Sequence, residues 1–493
     1  MDPTPCFSAC FPAETSVSCN LNMRFTASIV ALSLTTLAAF SQNPPTGFTA
    51  LFNGRDLSGW YGWETKDPAL LKAMSAEERA LYKKRSIEGG LPGKESDQHL
   101  KAHWRVENKE LVNDGKGLYL TTEKDYGDFE LLVDYKALPD GDSGIYLRGI
   151  PQVQIWDATK GDPRGLGQDK GSGGLWNNSK GAPGKDPTRK MDKPFGQWNR
   201  FKIRMIGERV TVVFNGKTVV DNAVLENFYA NQKAGYVAYA KGDAGKDKSK
   251  SEKQPNGAMR DPVPATGPIQ LQTHGSEIRW RNVYIREIGP DEANRILAAQ
   301  NAKGFVEQIN GKDLRNWKGA VDSYELRNKS IVCKPGKGGD LLTADEYENL
   351  AIRVEFKLPP AGNNGIALRT PLGGHSSSDG LEIQVLDSDG YNAAHPQAPL
   401  LPYQYHGSLY HCVGAKHGYL RPVGQWNFEE IEVVGQKIKV TLNGTKILDV
   451  DIDAFDRSQI EHPPKGLDRR KGHVGLAGHN DPVEFRSFKI KTL

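Results

Sequence analysis

The sequence contains the same series of short motifs twice, and this internal repeat constrains the fold more than any other feature. Residues 48–60 (FTALFNGRDLSGW) match residues 305–317 (FVEQINGKDLRNW). Because the other matches follow in the same order, we predict two copies of one domain, at 42–290 and 304–493, with 291–303 as a helix or linker. The other matches pair SGIYLR at 143–148 with NGIALR at 364–369, QVQIWD at 152–157 with EIQVLD at 382–387, GQWN at 196–199 with GQWN at 424–427, FNGK at 214–217 with LNGT at 442–445, and IQLQTH at 269–274 with VGLAGH at 474–479.

Both copies have the pattern of β-strands. Residues 129–135 and 352–358 alternate polar and apolar side chains, as half-buried strands do. Residues 209–220 form two β-branched runs around Asn-Gly, the turn that favours a type I′ hairpin, and 437–450 repeat this pattern. Many short strands with turn signals between them predict an all-β sandwich rather than a βαβ fold.

The first copy carries two insertions. Residues 67–85 are predicted to be helical, with a capping box formed by Ser75 and Glu78. Residues 241–260 are polar and lysine-rich without periodicity, which indicates a solvated loop rather than a site for an anionic partner.

The segment before the first copy has the pattern of a secretory signal peptide. Arg24 follows Met23, residues 29–40 form a short apolar stretch, and residues 39–41 (AFS) resemble a small-x-small cleavage site. The mature protein is therefore predicted to begin near Gln42 and to be secreted or periplasmic, with residues 1–41 as upstream leader and signal.

Cysteine content, charge and hydropathy exclude several classes of protein. Residues 1–22 are interpreted as the product of a misplaced start codon and carry three of the five cysteines, so the mature chain keeps only Cys333 and Cys412. The 64 basic and 60 acidic residues give a net charge of +4, unlike the basic footprint of a nucleic-acid-binding protein. No apolar stretch reaches the ~18 residues that a membrane span needs. The oligomeric state is left open.

Taken together, the motifs resemble the 3-keto-disaccharide hydrolase domain, also described as a 3-keto-glucoside lyase and hydratase. The likeness rests on FTALFNGRDLSGW, DSGIYLR, LEIQVLD, GQWN, the strand–Asn-Gly–strand hairpin and the closing LQTHGSEIRWRNVYI, and it covers both copies. It implies two tandem concanavalin A-like jelly-roll β-sandwiches in a secreted bacterial protein. It also implies cleavage of glycosides whose C3 hydroxyl has been oxidised to a ketone.

Such a ketone acidifies the proton at C2, so one base can start the reaction. The resulting enolate expels the C1 substituent, and water can then add. This chemistry needs a general base and a group that holds the developing oxyanion, such as Arg, His or a metal. Direct hydrolysis by two carboxylates is the alternative route.

The second copy carries the better candidates for catalysis. Glu382 and Gln384 share one strand face, which Asp387 would reach only through a bulge or at the strand end. Glu382 or His479 is predicted to take the C2 proton, and Asp387 supplies a second carboxylate. Surface carboxylates and a turn histidine remain the structural alternatives.

Two further residues complete the site predicted in the second copy. Arg369 is predicted to stabilise the enolate, with a structural salt bridge as the alternative. Tyr410 is predicted to pack on the sugar or to donate a hydrogen bond to it, with core packing as the alternative.

The equivalent group in the first copy is better suited to holding a sugar, because Gln152 stands where the second copy has Glu382. The predicted substrate-binding residues of the first copy are Arg148, Gln152, Gln154, Trp156, Asp157, Trp176, Asn177 and His274.

Eight of the eleven histidines lie in the second copy, two of them in residues 403–411 (YQYHGSLYH). Together with Glu382 and Asp387 they could bind a divalent ion, but no closed spacing such as His-Glu-x-x-His occurs. No cofactor is therefore assigned.

Two functions remain open at this level. One is an enzyme acting on 3-keto glycosides, and the other is a protein that binds carbohydrate without cleaving it. A combination of one catalytic copy and one binding copy is a third reading, and fold alone does not decide among them.

Overall fold

The computed structural model describes residues 43–163, 165–230 and 259–493. The predicted signal peptide, residues 1–22 and most of the polar insertion at 241–260 lie outside the described residues. Residues 43–493 form one compact unit that contains both copies. Among the described residues, no helix combines the length and apolar character that crossing a membrane requires.

The first copy consists of thirteen described strands. In chain order they are β1 (Thr49–Ala50), β2 (Trp60–Trp63), β3 (Trp104–Glu107), β4 (Glu110–Asn113), β5 (Tyr119–Thr122), β6 (Phe129–Ala137), β7 (Asp142–Leu147), β8 (Ile150–Trp156), β9 (Asn199–Ile206), β10 (Arg209–Phe214), β11 (Lys217–Val224), β12 (Gln270–Leu271) and β13 (Ile278–Glu287).

The second copy repeats this series. Its strands are β14 (Val306–Glu307), β15 (Trp317–Gly319), β16 (Tyr324–Arg327), β17 (Ser330–Cys333), β18 (Gly338–Thr343), β19 (Leu350–Lys357), β20 (Asn363–Thr370), β21 (Leu381–Leu386), β22 (Trp426–Val434), β23 (Lys437–Leu442), β24 (Thr445–Asp451), β25 (His473–His479) and β26 (Glu484–Thr492).

The helices are short. The α-helices are α1 (Pro68–Lys72), α2 (Ala76–Glu88), α3 (Leu100–His103), α4 (Pro290–Ala299), α5 (Ser376–Asp379) and α6 (Ser388–Ala394), and 3-10 turns lie at Gln168–Lys170, Val321–Ser323, Pro402–Gln404, Ile452–Ala454, Arg457–Gln459 and Lys465–Leu467.

Each copy is a sandwich of an eight-stranded and a five-stranded antiparallel sheet, with equivalent strand orders in the two copies. The five-stranded sheets run β2-β5-β12-β7-β8 and β15-β18-β25-β20-β21. The alternating apolar side chains of both sheets fill one core per copy. The prediction of two tandem jelly-roll sandwiches is confirmed.

Local signals in the sequence are also confirmed. Asn215 and Gly216 adopt φ of 46° and 82° between β10 and β11, and Asn443 and Gly444 adopt φ of 50° and 83° between β23 and β24. Both hairpins therefore have the positive backbone angles that Asn-Gly supplies. Helix α2 begins with the capping box between Ser75 and Glu78.

The two copies meet through the turn that follows β9 and the hairpin that follows β23. The Glu208 amide donates to Gly444 O at 3.3 Å, and the Lys446 amide donates to Glu208 Oε1 at 3.1 Å. Helix α4 packs beside this contact, within the segment predicted to be a helix or linker. The apolar cluster at this contact comprises Ile206, Ile288, Ala293, Leu297 and Phe428.

Candidate functional site

The candidate site lies on the outer face of the second copy's five-stranded sheet, the face turned away from the core. Along β21, Ile383 and Val385 enter the core, so Glu382 and Gln384 project to the outer face. The same alternation on β25 buries Leu476 and places His479 on the outer face.

Glu382 and His479 form a pair on this face. His479 Nε2 lies 3.4 Å from Glu382 Oε1, and the exposed fractions of the two side chains are 35% and 1%. The Glu382 carboxylate raises the pKa of His479 above its usual value, against the opposing effect of burial. The imidazole is thus the member of the pair that solvent or a ligand can reach, and the carboxylate stabilises its protonated form.

A second carboxylate, Asp340 on β18, lies behind this pair. The Ser376 amide donates to Asp340 Oδ2 at 2.6 Å, and Ser376 Oγ lies 3.0 Å from Asp340 Oδ1 and 3.4 Å from Glu382 Oε2. Burial raises the pKa of Asp340, and the charge of Glu382 adds to this effect, although Ser376 and His375 oppose it. Ser376 therefore links the two carboxylates.

Gly365 on β20 leaves the space that the Glu382 carboxylate occupies on the outer face of the sheet. A Cβ at this glycine would lie 2.2 Å from Glu382 Oε1, so any other residue would displace the carboxylate. Gly144 has the same relationship to Gln152 in the first copy, where a Cβ would lie 2.7 Å from the side-chain amide carbon. The glycine of the repeated Gly-Ile motif thus makes room for the side chain of Glu382 or Gln152, which lies diagonal to it on the neighbouring strand.

Tyr410 borders the pair because its loop is anchored on β21. The Tyr410 amide donates to Glu382 O at 2.9 Å, and the Gly407 amide donates to Gln384 O at 2.7 Å. The Tyr410 ring contacts His411, with ring centroids 4.3 Å apart, and Tyr403, at 6.0 Å. The loop after the 3-10 turn therefore carries an aromatic and histidine cluster to the edge of the site.

Arg369 does not join this site, in contrast to the prediction. It has φ of 52° at a bulge in β20, and its guanidinium donates to Gln436 Oε1 at 2.6 Å and to Gly435 O, at the opposite sheet. Burial lowers the pKa of Arg369 to about 10. Arg369 therefore joins the two sheets through hydrogen bonds and does not serve as an oxyanion-binding group.

Arg148 has the same structural role in the first copy. Its φ is 55°, and its guanidinium donates to Gly127 O at 2.9 Å, Pro264 O at 3.1 Å and Asp128 Oδ1 at 3.0 Å. Arg148 was predicted to bind substrate, but its buried guanidinium is instead held by a salt bridge to Asp128.

The two aspartates that follow β21 and β8 are also held by local contacts. Asp387 accepts from the Ala361 amide at 2.8 Å and from the Gly390 amide at 3.2 Å, so it caps α6. Asp157 accepts from the Asp140 and Thr159 amides at 3.0 and 2.8 Å. Backbone amides of the neighbouring turns therefore hold both carboxylates.

Gln384 and its counterpart Gln154 are part of amide networks on the outer faces. Gln384 Nε2 donates to Asn363 Oδ1 at 2.8 Å. Gln154 Nε2 donates to Asp142 Oδ1 at 2.9 Å, and Gln152 Nε2 donates to Gln154 Oε1. Both glutamines lie on the predicted faces.

The remaining predicted residues of the first copy surround its amide network. His274 Nδ1 lies 3.2 Å from Asp142 Oδ2 with 56% of its side chain exposed. Trp156 is buried, donates to Gly171 O at 3.0 Å and packs edge-on against Trp176. Trp176 and the next residue, Asn177, are partly exposed, so Trp176 rather than Trp156 offers a ring surface to a ligand.

Three positions distinguish the two copies. Glu382 corresponds to Gln152 through the repeated motif. Asp340 precedes the leucine that pairs with Leu476 in the second copy. Tyr119 precedes the leucine that pairs with the equivalent Leu271 in the first copy, so Asp340 corresponds to Tyr119. The bridges Ile383–Leu409 and Val153–Leu175 align Tyr410 and His411 with Trp176 and Asn177. The paired positions are Glu382 and Gln152, Asp340 and Tyr119, and His411 and Asn177. Acids and an imidazole in the second copy are therefore replaced by amides and a phenol in the first.

Sequence reasoning missed Asp340, His375 and Ser376. Aligning the two copies could have identified Asp340, because the first copy has a tyrosine at the corresponding position. Ser376 and His375 lie in a segment that has no equivalent motif in the first copy.

Within the described residues, no group of three or more His, Cys, Asp or Glu side chains is arranged to hold a metal ion.

The comparisons with known proteins agree with the repeat. The family described as "3-keto-alpha-glucoside-1,2-lyase-like domain" matches residues 47–286 and 304–491. A 3-keto-disaccharide hydrolase of Bacteroides thetaiotaomicron is 23% identical over 252 residues, covering 43% of this chain and 86% of the relative.

Two solved structures from Parabacteroides distasonis, each assigned as a glycosyl hydrolase, also match. One is 24% identical with a TM-score of 0.36, over 39% of this chain and 96% of its own. The other is 26% identical with a TM-score of 0.34, over 38% of this chain and 99% of its own.

Proposed function

The chain belongs to the 3-keto-alpha-glucoside-1,2-lyase-like domain family, and from that premise we propose that its second copy cleaves glycosides that carry a ketone at C3. The observation that carries this proposal is the pair formed by His479 and the buried Glu382, 3.4 Å apart on the outer sheet face. The pair offers a reachable imidazole whose protonated form a carboxylate stabilises.

In the proposed reaction, the C2 proton is removed first, because the neighbouring ketone stabilises the carbanion as an enolate. The C1 substituent then leaves, and water adds to the unsaturated sugar. Donors aimed at a developing oxyanion contribute strongly to such reactions in a site with little water. His479 fills this role, which the sequence suggested for Arg369.

The Glu382 carboxylate orients the His479 imidazole and stabilises its protonated form, as the acidic partner does in other carboxylate–histidine pairs. The imidazolium donates to the C3 oxygen and gains strength as negative charge develops there. Tyr410, anchored through its amide at Glu382 O, borders the sugar.

The first copy is proposed to bind carbohydrate without cleaving it. Its equivalent positions hold Gln152, Tyr119 and Asn177, which donate and accept hydrogen bonds but carry no charge near neutral pH. Trp176 adds a partly exposed ring beside them. Neutral groups of this kind suit the hydroxyls of a sugar.

The test is turnover by the purified protein of a 3-keto glucoside and of its unoxidised parent. Only the 3-keto compound is expected to be consumed. Glu382→Gln should lower kcat by about 10²–10³-fold, because the His479 charge loses its partner. The fold should survive, since the first copy already has glutamine at this position and a glycine beneath it.

His274→Ala in the first copy is the matched control. It should leave the chemical step unchanged and affect only the binding of extended glycosides. Full activity of Glu382→Gln together with loss of activity in His274→Ala would assign catalysis to the first copy and overturn the proposal.

A further inference from the structure

We propose that His411 is the base that removes the C2 proton, while His479 holds the enolate oxygen. This inference rests on the proposed function and adds the residue that the reaction still lacks. His411 belongs to the loop that Tyr410 anchors on β21, and its first-copy counterpart is Asn177.

The backbone holds His411 in an uncommon conformation. Its φ is 64°, a left-handed value that a histidine adopts at a cost. The amides of Cys412 and Val413 both donate to Leu409 O, at 2.9 and 3.0 Å, and close a tight turn around it. A strained backbone angle that the surrounding structure maintains is typical of residues placed for function.

The side chain is fixed by the rings around it and remains reachable. His411 contacts Tyr410 at 4.3 Å, Tyr403 at 5.6 Å and His462 at 5.8 Å between ring centroids. It is partly exposed. A partly exposed ring that packs against two neighbouring tyrosines suits a group that meets a sugar.

The surroundings shift the pKa of His411 and the pKa of His479 in opposite directions. Burial and the neighbouring His462 lower the pKa of His411, although Glu382 and Glu461 partly counter them. Glu382 raises the pKa of His479. At a pH between the two pKa values, His411 is neutral and can accept a proton while His479 is protonated, and such a separation of pKa values assigns the roles of base and acid.

His375 is the other imidazole beside His479, with ring centroids 6.5 Å apart, and it suits the role less well. Its Nδ1 accepts from the Ser377 amide at 3.3 Å and caps α5, and its side chain is exposed. No tyrosine pair orients it.

The proposed step is balanced without any further reactant. The C2–H bond breaks, its proton moves to a ring nitrogen of His411, and its electron pair forms the C2–C3 double bond of the enolate held by His479. The enolate then expels the C1 oxygen, which takes the proton back from the His411 imidazolium. Water adds by the reverse sequence, so both histidines end as they began.

The experiment measures exchange of the C2 hydrogen for deuterium in a 3-keto sugar that has no leaving group at C1. His411→Gly relieves the backbone strain and removes the base. Exchange should fall by about 10²–10⁴-fold, the usual contribution of a general base, and added imidazole should restore part of it. The control variant His395→Asn, which replaces the exposed histidine that follows α6, should exchange at the native rate.

Native exchange in His411→Gly, or a loss that imidazole does not restore while the variant keeps its native melting temperature, would overturn the role of His411. A native protein that neither exchanges C2 hydrogen nor cleaves a 3-keto glucoside would instead overturn the proposed function. Retained exchange in His411→Gly with loss of cleavage in Glu382→Gln would leave the function intact and reject this base.

Discussion

His479 reaches Glu382 across an intervening strand: the two residues lie on β25 and β21, on either side of β20, yet His479 Nε2 is 3.4 Å from Glu382 Oε1. The contact exists because Gly365 on β20 has no side chain between them. The ion pair between His479 and Glu382 thus depends on Gly365, because any side chain at that position would occupy the space of the Glu382 carboxylate.

The pair makes stability depend on pH in a defined direction. The pKa of His479 is raised in the folded protein, so the stabilisation is fully present below the unfolded pKa of about 6.5 and is lost as pH rises through the folded value. We expect His479→Gln to destabilise the protein at pH 6 and to have little effect at pH 9.

Urea unfolding of both proteins at the two pH values measures this difference. His274→Gln is the matched control in the first copy, where the imidazole faces Asp142 from an exposed position. An equal destabilisation by His479→Gln at both pH values would contradict the assignment.

Arg369 is expected to contribute to stability rather than to catalysis. Arg369→Met would leave Gly435 O and the Gln436 side chain without their donor, which should cost about 1–3 kcal/mol of unfolding free energy. Activity per folded molecule should remain at the native level. Denaturant titration and kcat on a 3-keto glucoside test both parts, and a fall in kcat without a loss of stability would restore its predicted catalytic role.

Alanine substitutions at the equivalent hairpin glycines of the two copies distinguish the cost of backbone strain from the cost of disturbing the contact between the copies. The Cβ of an alanine at Gly216 would meet no atom of the described residues within 4 Å, whereas the Cβ of an alanine at Gly444 would lie 2.9 Å from Ile206 O. Gly216→Ala should cost only the left-handed penalty of about 1–2 kcal/mol, and Gly444→Ala should cost more. Equal losses of unfolding free energy would mean that the contact tolerates the methyl group.

The mature protein is expected to begin near Gln42 outside the cytoplasm, because residues 23–41 have the pattern of a cleaved signal. N-terminal sequencing of protein recovered from the periplasm or the medium measures this directly. Cytosolic protein that retains Met1 would refute the prediction.

The motif repeat, the strand pattern and the Asn-Gly turns were enough to predict two all-β sandwiches, since these features depend on residues close together in the chain. Glu382, Gln384 and His479 were found in the same way, by strand alternation and recurrence. Asp340 was missed because an aspartate on a strand has no local sign of its partners.

Arg369 shows the limit of motif reasoning. The arginine recurs as Arg148 in the first copy, but repetition alone cannot distinguish an arginine that joins the two sheets from a catalytic cation. The direction of the side chain follows from a left-handed residue at a bulge, and its partners lie 66 and 67 residues further along the chain.

The sequence by itself determined what each strand buries, because a period of two fixes which side chains share a face. The tertiary structure alone decided which outward groups meet, because β25 lies beside β18 and β20 only when segments more than a hundred residues apart pair in one sheet. The contact between the Glu382 carboxylate and the His479 imidazole, and the position of the loop that carries His411, follow from that assembly.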